Sequence, residues 1–137
     1  MLVTTNAINT YNIVLYNYAH FTDLYCLTNG EGISYDSVYT EFRDAATKDI
    51  GITLNGLHDG RYKVIVTTLN REHGSLFDEW VGYGIMDGLQ PHDIHYLQDI
   101  VHPQRIVRYH ECQDSTLKLN MQMLPHEVKF LLILREL

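Results

Sequence analysis

The sequence predicts a mainly β protein, an antiparallel β-sandwich of about seven to eight strands with two short helical inserts. Three observations support this prediction. Apolar and polar residues alternate with a period of two along several segments, and turn-forming residues separate these segments. Ten tyrosines, against one tryptophan and four phenylalanines, favour strands and half-exposed surfaces. The length of 137 residues indicates one domain, spanning 1–137.

The first predicted strand, Tyr11 to Tyr18, is apolar on both faces. One face carries Tyr11, Ile13 and Leu15, and the other carries Val14, Tyr16 and Tyr18. The last predicted strand, Val128 to Leu134, shares this property. Each sheet of a lone sandwich buries only one face. We therefore expect the second face to be covered by the chain's own helices or by polypeptide that is absent here.

Between these two strands the pattern changes several times. Residues Leu27 to Ser37 are polar and contain glycine, which predicts a mobile loop. Ile50 to Leu54 alternates as a strand, and the turn residues Gly56 to Gly60 predict a hairpin that joins it to a partner strand, Tyr62 to Thr68.

Two segments have the pattern of helices. Ser75 to Val81 begins with a capping serine, and Pro91 to Val101 has one apolar stripe with proline in its first turn. Glycines within residues 82–88 predict a flexible connection between them.

Two further strands are predicted beyond the second helix. They are Arg105 to Glu111 and Leu117 to Met123, and the turn Asp114-Ser115 separates them. Pro125 then interrupts the chain before the last strand.

Charge and composition exclude several functional classes. Ten basic against seventeen acidic residues give a net charge of −7, whereas nucleic-acid binding needs a basic stripe. We therefore expect no direct nucleic-acid contact by this domain.

No apolar run reaches roughly eighteen residues, so no membrane span is expected, and no signal peptide is visible. Cys26 and Cys112 lie far apart in unlike contexts, which favours a reduced, cytoplasmic protein and leaves one long-range disulfide as the alternative.

Four stretches of the chain occur in the same order in a known family. They are Tyr11–Tyr18 with His20-Phe21 and Leu24-Tyr25, the predicted hairpin Leu54–Tyr62, the loop Asn70–Trp80, and Leu89–Leu97 together with Pro125-His126-Glu127-Val128. In this pattern the chain resembles the C-terminal β-sandwich domain of glycoside hydrolase family 39, the β-xylosidases. AraC-type regulators of sugar metabolism that carry a glycosidase-like region contain a similar domain, and the form Tyr16-Asn17-Tyr18-x-His20-Phe21 is most similar to theirs.

The resemblance implies an accessory domain rather than an enzyme. In this family two carboxyl groups about 5 Å apart act as acid/base and nucleophile. Both lie on a (β/α)₈ barrel of about 250 residues, which this chain cannot contain. We therefore expect no catalytic residues, cofactor or metal in this chain. The expected partner is the missing barrel of the same polypeptide, and a homo-oligomer through the exposed apolar face is the alternative.

The densest polar cluster is the loop that contains Arg71, Glu72, His73 and Trp80. Adjacent residues on an extended chain point apart and cannot converge on one atom, so an acid/base set is disfavoured. We predict a structural loop in which Arg71 and Glu72 pair with backbone groups or with each other, and Trp80 packs beneath. Contact between this loop and a neighbouring barrel is a third interpretation.

Tyr16, Tyr18, Phe21 and Tyr25 form the candidate binding surface. We favour a barrel-docking role for them, because an apolar face that a neighbour normally covers is left bare in an isolated domain. Stacking of sugars on the same rings, as in a carbohydrate-binding module, is the alternative.

Histidines provide the remaining candidates. His92 and His95 are three residues apart on the second helix, a spacing that can present two ligands to zinc. No third ligand is implied, so we predict exposed histidines on a polar helical face. For His126 we expect a backbone hydrogen bond.

Overall fold

The computed structural model describes residues 1–6, 10–84 and 88–136. Helices α1 Asp23–Thr28, α2 Leu76–Gly82 and α3 Pro91–Ile100 and the 3-10 helix Tyr35–Glu41 account for the helical residues. The strands of the described residues are β1 Leu2–Asn6, β2 Thr10–Asn17, β3 His20–Phe21, β4 Phe42–Arg43, β5 Lys48–Asn55, β6 Gly60–Leu69, β7 Gln104–Cys112, β8 Thr116–Met123 and β9 Glu127–Arg135.

The strands form two facing sheets and one short pair. A five-stranded antiparallel sheet has the order β1-β2-β9-β6-β7, and the second sheet is the antiparallel pair β5-β8. The short strands β3 and β4 pair with each other. The predicted β-sandwich is therefore confirmed.

The hydrophobic core lies between the two sheets, because both contribute its buried side chains. Removing a large aliphatic side chain from water contributes roughly 1.5–3 kcal/mol. The core residues are Ile13, Leu15, Ile52, Leu57, Tyr62, Val64, Cys112, Leu117, Leu119, Met123, Leu131 and Ile133.

The predicted hairpin between β5 and β6 is wrong. β5 pairs with β8, with Ile52 opposite Leu119, whereas β6 lies in the other sheet between β9 and β7. The connecting residue Leu57 is buried in the core, and its N–H donates to the Ser115 carbonyl at 3.2 Å. Leu57 therefore anchors the connection between β5 in one sheet and β6 in the other. An alternating pattern identifies the buried face of a strand but not its neighbour.

Two helical segments were not predicted. The structure places α1 and the 3-10 helix around the segment that we expected to be a loop, and the Thr22 hydroxyl caps α1 by accepting the Tyr25 N–H at 3.3 Å. Neither helix buries a residue, so neither has the apolar stripe by which a helix is detected. Helices α2 and α3 agree with their predictions, while residues 85–87 of the predicted connection lie outside the described residues.

The outer face of the five-stranded sheet is apolar and exposed. Its register places Phe130 of β9 between Val14 of β2 and Thr67 of β6. We define the outer apolar face by six side chains that are 36% to 62% exposed: Leu2, Tyr16, Leu69, Val107, Val128 and Phe130. Strands β2 and β9 are thus apolar on both faces, as predicted. In the described part of the chain, the helices leave this second face open to solvent.

Candidate functional site

Asn70 organises the loop that follows β6. Its side-chain oxygen accepts the N–H groups of Glu72 and His73 at 3.0 and 2.9 Å. Its amide nitrogen donates to Glu127 Oε1 at 3.0 Å. One buried side chain therefore shapes the loop and attaches it to β9.

Glu127 is a buried carboxylate with a donor for each oxygen. It is only 2% exposed. In addition to the bond from Asn70, its Oε2 accepts the Leu124 N–H at 2.9 Å and the Lys129 ammonium at 2.8 Å. These donors and the Lys129 ammonium stabilise the negative charge of the buried Glu127 carboxylate, as a buried ion pair requires.

Arg71 pairs with Asp78 rather than with Glu72 or with backbone groups. Its Nε donates to Asp78 Oδ1 at 3.1 Å, and its guanidinium carbon lies 3.5 Å from the centre of the Tyr39 ring. The expected pairing of Arg71 is therefore wrong. Asp78 lies in the first turn of α2, where its carboxylate contacts the Arg71 guanidinium.

Asp78 is held by further donors on the side away from Arg71. The Tyr39 hydroxyl donates to its Oδ2 at 2.8 Å, and the Ser75 hydroxyl also donates to Oδ2. Burial, followed by the hydrogen bond to Asp78, raises the pKa of Tyr39 to about 12. The phenol therefore stays protonated at neutral pH and acts as a fixed donor.

His126 lies beside this cluster in a left-handed backbone conformation, with φ of 58°. Its N–H donates to the Asn17 carbonyl at 2.8 Å, which is the expected backbone hydrogen bond. Its ring meets the Phe42 ring edge-on at 4.1 Å, and its buried Nε2 has no hydrogen-bond partner among the described residues. Burial and then the Arg71 charge lower the pKa of His126 below its ordinary value.

These groups border a cavity of about 570 Å³, which is lined by Tyr39, Ala45, Arg71, Glu72, Asp78 and His126 among others. The contacts of Asp78 to Arg71, Tyr39 and Ser75 are those of a structural carboxylate. The sequence pattern identified the Arg71 and Glu72 wall of this cavity. It did not identify Tyr39 and did not place His126 at this cavity, because both residues reach the cavity from distant parts of the chain.

Trp80 and His73, the other residues of the predicted loop, have separate partners. Trp80 packs edge-on against Tyr35 with ring centres 5.2 Å apart, so it lies against the 3-10 helix. The Nε2 atom of His73 lies 3.0 Å from Nε2 of Gln104 at the start of β7. The loop residues are therefore held by several elements instead of converging on one reactive centre.

The four candidate binding aromatics divide into two pairs. Tyr16 and Tyr18 are 62% and 61% exposed. Phe21 and Tyr25 are half-buried and stacked on each other with ring centres 4.0 Å apart, and Phe21 also stacks on Phe42 at 4.1 Å. The first pair is available to a partner, while stacking within the protein occupies a face of each ring in the second pair.

Among the described residues, no group of three or more histidine, cysteine, aspartate or glutamate side chains could hold a metal ion. His92 is exposed, and its Nε2 lies 3.2 Å from Asp93 Oδ1. Asp93 caps α3 by accepting the Gln90 N–H, and it also accepts the Tyr83 hydroxyl, both at 2.8 Å. These two hydrogen bonds lower the pKa of Asp93. The position of Asp93 two residues after Pro91 was the available sequence signal for this cap.

Both cysteines are free; Cys112 is buried and Cys26 is exposed. Within the described part of the chain, no helix is long and apolar enough to cross a membrane.

No protein-family model matches the chain. The chain is 27% identical over 133 residues to uncharacterized HTH-type transcriptional regulators of Staphylococcus aureus strains N315 and Mu50. The match covers 97% of the chain but 16% of each regulator, so the chain spans only a small part of these relatives.

Two solved structures share the fold of the whole chain. One is a GH39 enzyme from Xanthomonas axonopodis pv. citri, with a TM-score of 0.68 and 13% identity over 98% of this chain and 25% of that enzyme. The other is a monomeric β-xylosidase from Caulobacter crescentus CB15, with a TM-score of 0.68 and 17% identity over 98% of this chain and 26% of the xylosidase. The resemblance inferred from the sequence is thus confirmed at the level of the fold.

Proposed function

We propose that this chain is a non-catalytic β-sandwich module of a longer polypeptide, and that it packs against and braces a (β/α)₈ glycosidase-like barrel. The chain has the fold of about a quarter of two glycosidases, and it spans a still smaller share of the regulators that it resembles. A barrel would occupy part of the remaining length.

The outer apolar face is the observation that carries this proposal. Contiguous exposed apolar surface is typical of an interface. Phe130 and Val128 of β9 lie beside Val14 and Tyr16 of β2 on this face. The face therefore includes β2 and β9, the two strands that the sequence predicts to be apolar on both sides. Each 100 Å² of apolar surface removed from water would contribute about 2.5 kcal/mol.

The parent polypeptide that we favour is an HTH-type, sugar-responsive regulator of the AraC kind. The identity of 27% to the regulators exceeds the 13% and 17% to the two glycosidases. In this parent the sandwich would work in the cytoplasm without touching DNA, because its net charge of −7 opposes contact with phosphates. A β-xylosidase parent is the alternative.

The test compares Phe130→Asp with Leu27→Asp in the longer polypeptide and in the 137-residue chain. Leu27 is a matched control because it is an exposed leucine on α1 and is not one of the six residues of the outer apolar face. We expect Phe130→Asp to lower the melting temperature of the longer polypeptide and to speed proteolytic release of the sandwich. The isolated chain should keep its circular dichroism spectrum in both variants.

Two results would contradict the proposal. One is equal behaviour of both variants in the longer polypeptide. The other is detection in the native cell of only a 15.9 kDa species by an antibody against the chain.

A carbohydrate-binding role has one observation in its favour, the exposure of Tyr16 and Tyr18 beside a cavity of about 350 Å³. Titration with xylo-oligosaccharides, followed by NMR, tests it. A saturable shift that Tyr18→Ala abolishes would support sugar stacking, and an unchanged spectrum would remove it.

A further inference from the structure

The two sheets differ in width, and the difference leaves one strand position empty at the side of the sandwich. We propose that an extended segment of the longer polypeptide fills this position as an added strand, pairing with the free edge of β8 and covering the inner face of β7. The inference rests on the proposed function, because it takes the segment from polypeptide beyond these 137 residues.

The first supporting feature is the free edge of β8. One edge of β8 pairs with β5 along its full length. On the other edge, the only bridge in the described part of the chain joins Thr116 to Gln113 at the turn. Beyond that turn, alternate N–H and C=O groups of residues 117–123 face outward without a strand partner.

The second feature is the uncovered inner face of β7. Ile106 and Arg108 pair with Val66 and Val64, so they point to the same side as the core residues of β6. Ile106 is nevertheless 37% exposed, whereas Val64 is 1% exposed. The second sheet extends far enough to cover β6 but not β7.

The space between these features is bordered by both strands. It is a groove of about 400 Å³ bordered by Ile106, Arg108 and His110 of β7 and by Leu119, Asn120 and Met121 of β8. Paired strands lie about 4.8 Å apart and packed sheets about 10 Å apart. A strand added to β8 therefore lies directly over β7.

The charges of the groove indicate the chemistry of the added strand. Arg108 has no ion-pair partner among the described residues, although the chain as a whole is acidic. Glu72 also borders the groove, as do Glu127 and Lys129, which pair with each other. Side chains of a strand alternate between its faces. The added strand should thus have an acidic residue facing Arg108 and an apolar residue, two positions away, facing Ile106.

Hydrogen exchange measured by mass spectrometry tests this inference in the longer polypeptide and in the 137-residue chain. We expect the outward-facing amides of residues 117–123 to exchange at least about tenfold more slowly in the longer polypeptide. Arg108→Glu should remove this protection. Arg105→Glu, on the opposite face of β7, should leave it unchanged, whatever its effect on the outer apolar face.

Three results would overturn the inference. Equal exchange of residues 117–123 in both proteins would show that no strand is added, and Phe130→Asp would still report separately on the docking of the outer apolar face. Protection already present in the isolated chain would show that the edge is not free. Protection that increases with the concentration of the isolated chain would assign the edge to a second copy.

Discussion

At the scale of single residues, the carboxylate of Glu127 links the loop after β6 to the last strand. It receives Asn70, the Leu124 N–H and Lys129 in a site closed to solvent. Removing such a carboxylate leaves a largely buried ammonium and two unmatched donors. The energetic effect of this site should therefore far exceed that of a surface ion pair.

We expect Glu127→Ala to lower the free energy of unfolding by about 3 kcal/mol. The control is Glu136→Ala, which removes the exposed ion pair with Arg61 and should cost less than about 1 kcal/mol. Urea denaturation of both variants measures the difference. Similar losses in the two variants would contradict the structural role of Glu127.

His126 gives the protein a predictable response to acid. Its pKa is lower in the folded protein than its ordinary value of 6.5, so the unfolded chain binds the proton more readily. Its contribution to the free energy of unfolding should therefore fall as the pH drops through 6.5 and level off below the folded pKa. His126→Asn retains a residue that tolerates positive φ and should flatten this dependence.

Thermal denaturation between about pH 7.5 and 5.5 checks this prediction, since histidine ordinarily titrates in that range. Gln98→Asn is the control, because this exposed side chain on α3 carries no titratable group and its replacement should leave the slope unchanged. An identical slope in wild type and His126→Asn would contradict the assignment.

At the scale of elements, the turn between β7 and β8 uses two residues in an unfavourable conformation. Asp114 and Ser115 have φ of 51° and 58°, and the Gln113–Thr116 bridge closes the turn. This geometry favours glycine, especially at the second position.

We predict that Ser115→Gly raises the free energy of unfolding by about 1 kcal/mol, because glycine adopts positive φ without steric cost. Ser37→Gly in the 3-10 helix is the matched control and should be destabilising. Chemical denaturation of both variants decides the sign. A loss of stability in Ser115→Gly would contradict the prediction.

The elements that could be predicted from the sequence are those with a repeated local pattern. β8 alternates over many residues, β9 is a nearly continuous apolar run, and α3 has an apolar stripe, so each was located. Strand β1 and helix α1 are short and lack such a pattern. The pairing of β5 with β8 joins segments more than sixty residues apart, and no local pattern records it.

The candidate site shows the same division. The density of polar residues identified Arg71 and Glu72. Their neighbours Tyr39 and His126 come from distant parts of the chain, and their proximity depends on the complete topology. The local cluster of polar residues in the sequence therefore predicted where the site lies, but not which distant residues contact it.

At the scale of the whole molecule, the acidic charge and the outer apolar face have opposite effects on association. A net charge of −7 keeps copies of the chain apart at low ionic strength. Salt screens this repulsion, and sulfate also strengthens apolar contacts. The isolated chain should therefore associate when sulfate is added.

We expect the sedimentation coefficient of the isolated chain to rise with sulfate concentration. The double variant Val107→Asp/Phe130→Asp should suppress the rise, whereas Leu27→Asp should not. Suppression by Leu27→Asp alone would place the contact on α1 instead of on the outer apolar face.

The position of β9 has a consequence for biosynthesis. Among the described strands, β9 comes last in chain order, yet it lies at the centre of the five-stranded sheet, with β2 on one side and β6 on the other. Pairing of β2 with β9 closes a loop of more than one hundred residues, a slow step in folding. During synthesis on the ribosome, β2 and β6 therefore lack their shared partner until β9 has left the exit tunnel. Chaperones can bind the exposed strand edges during this time.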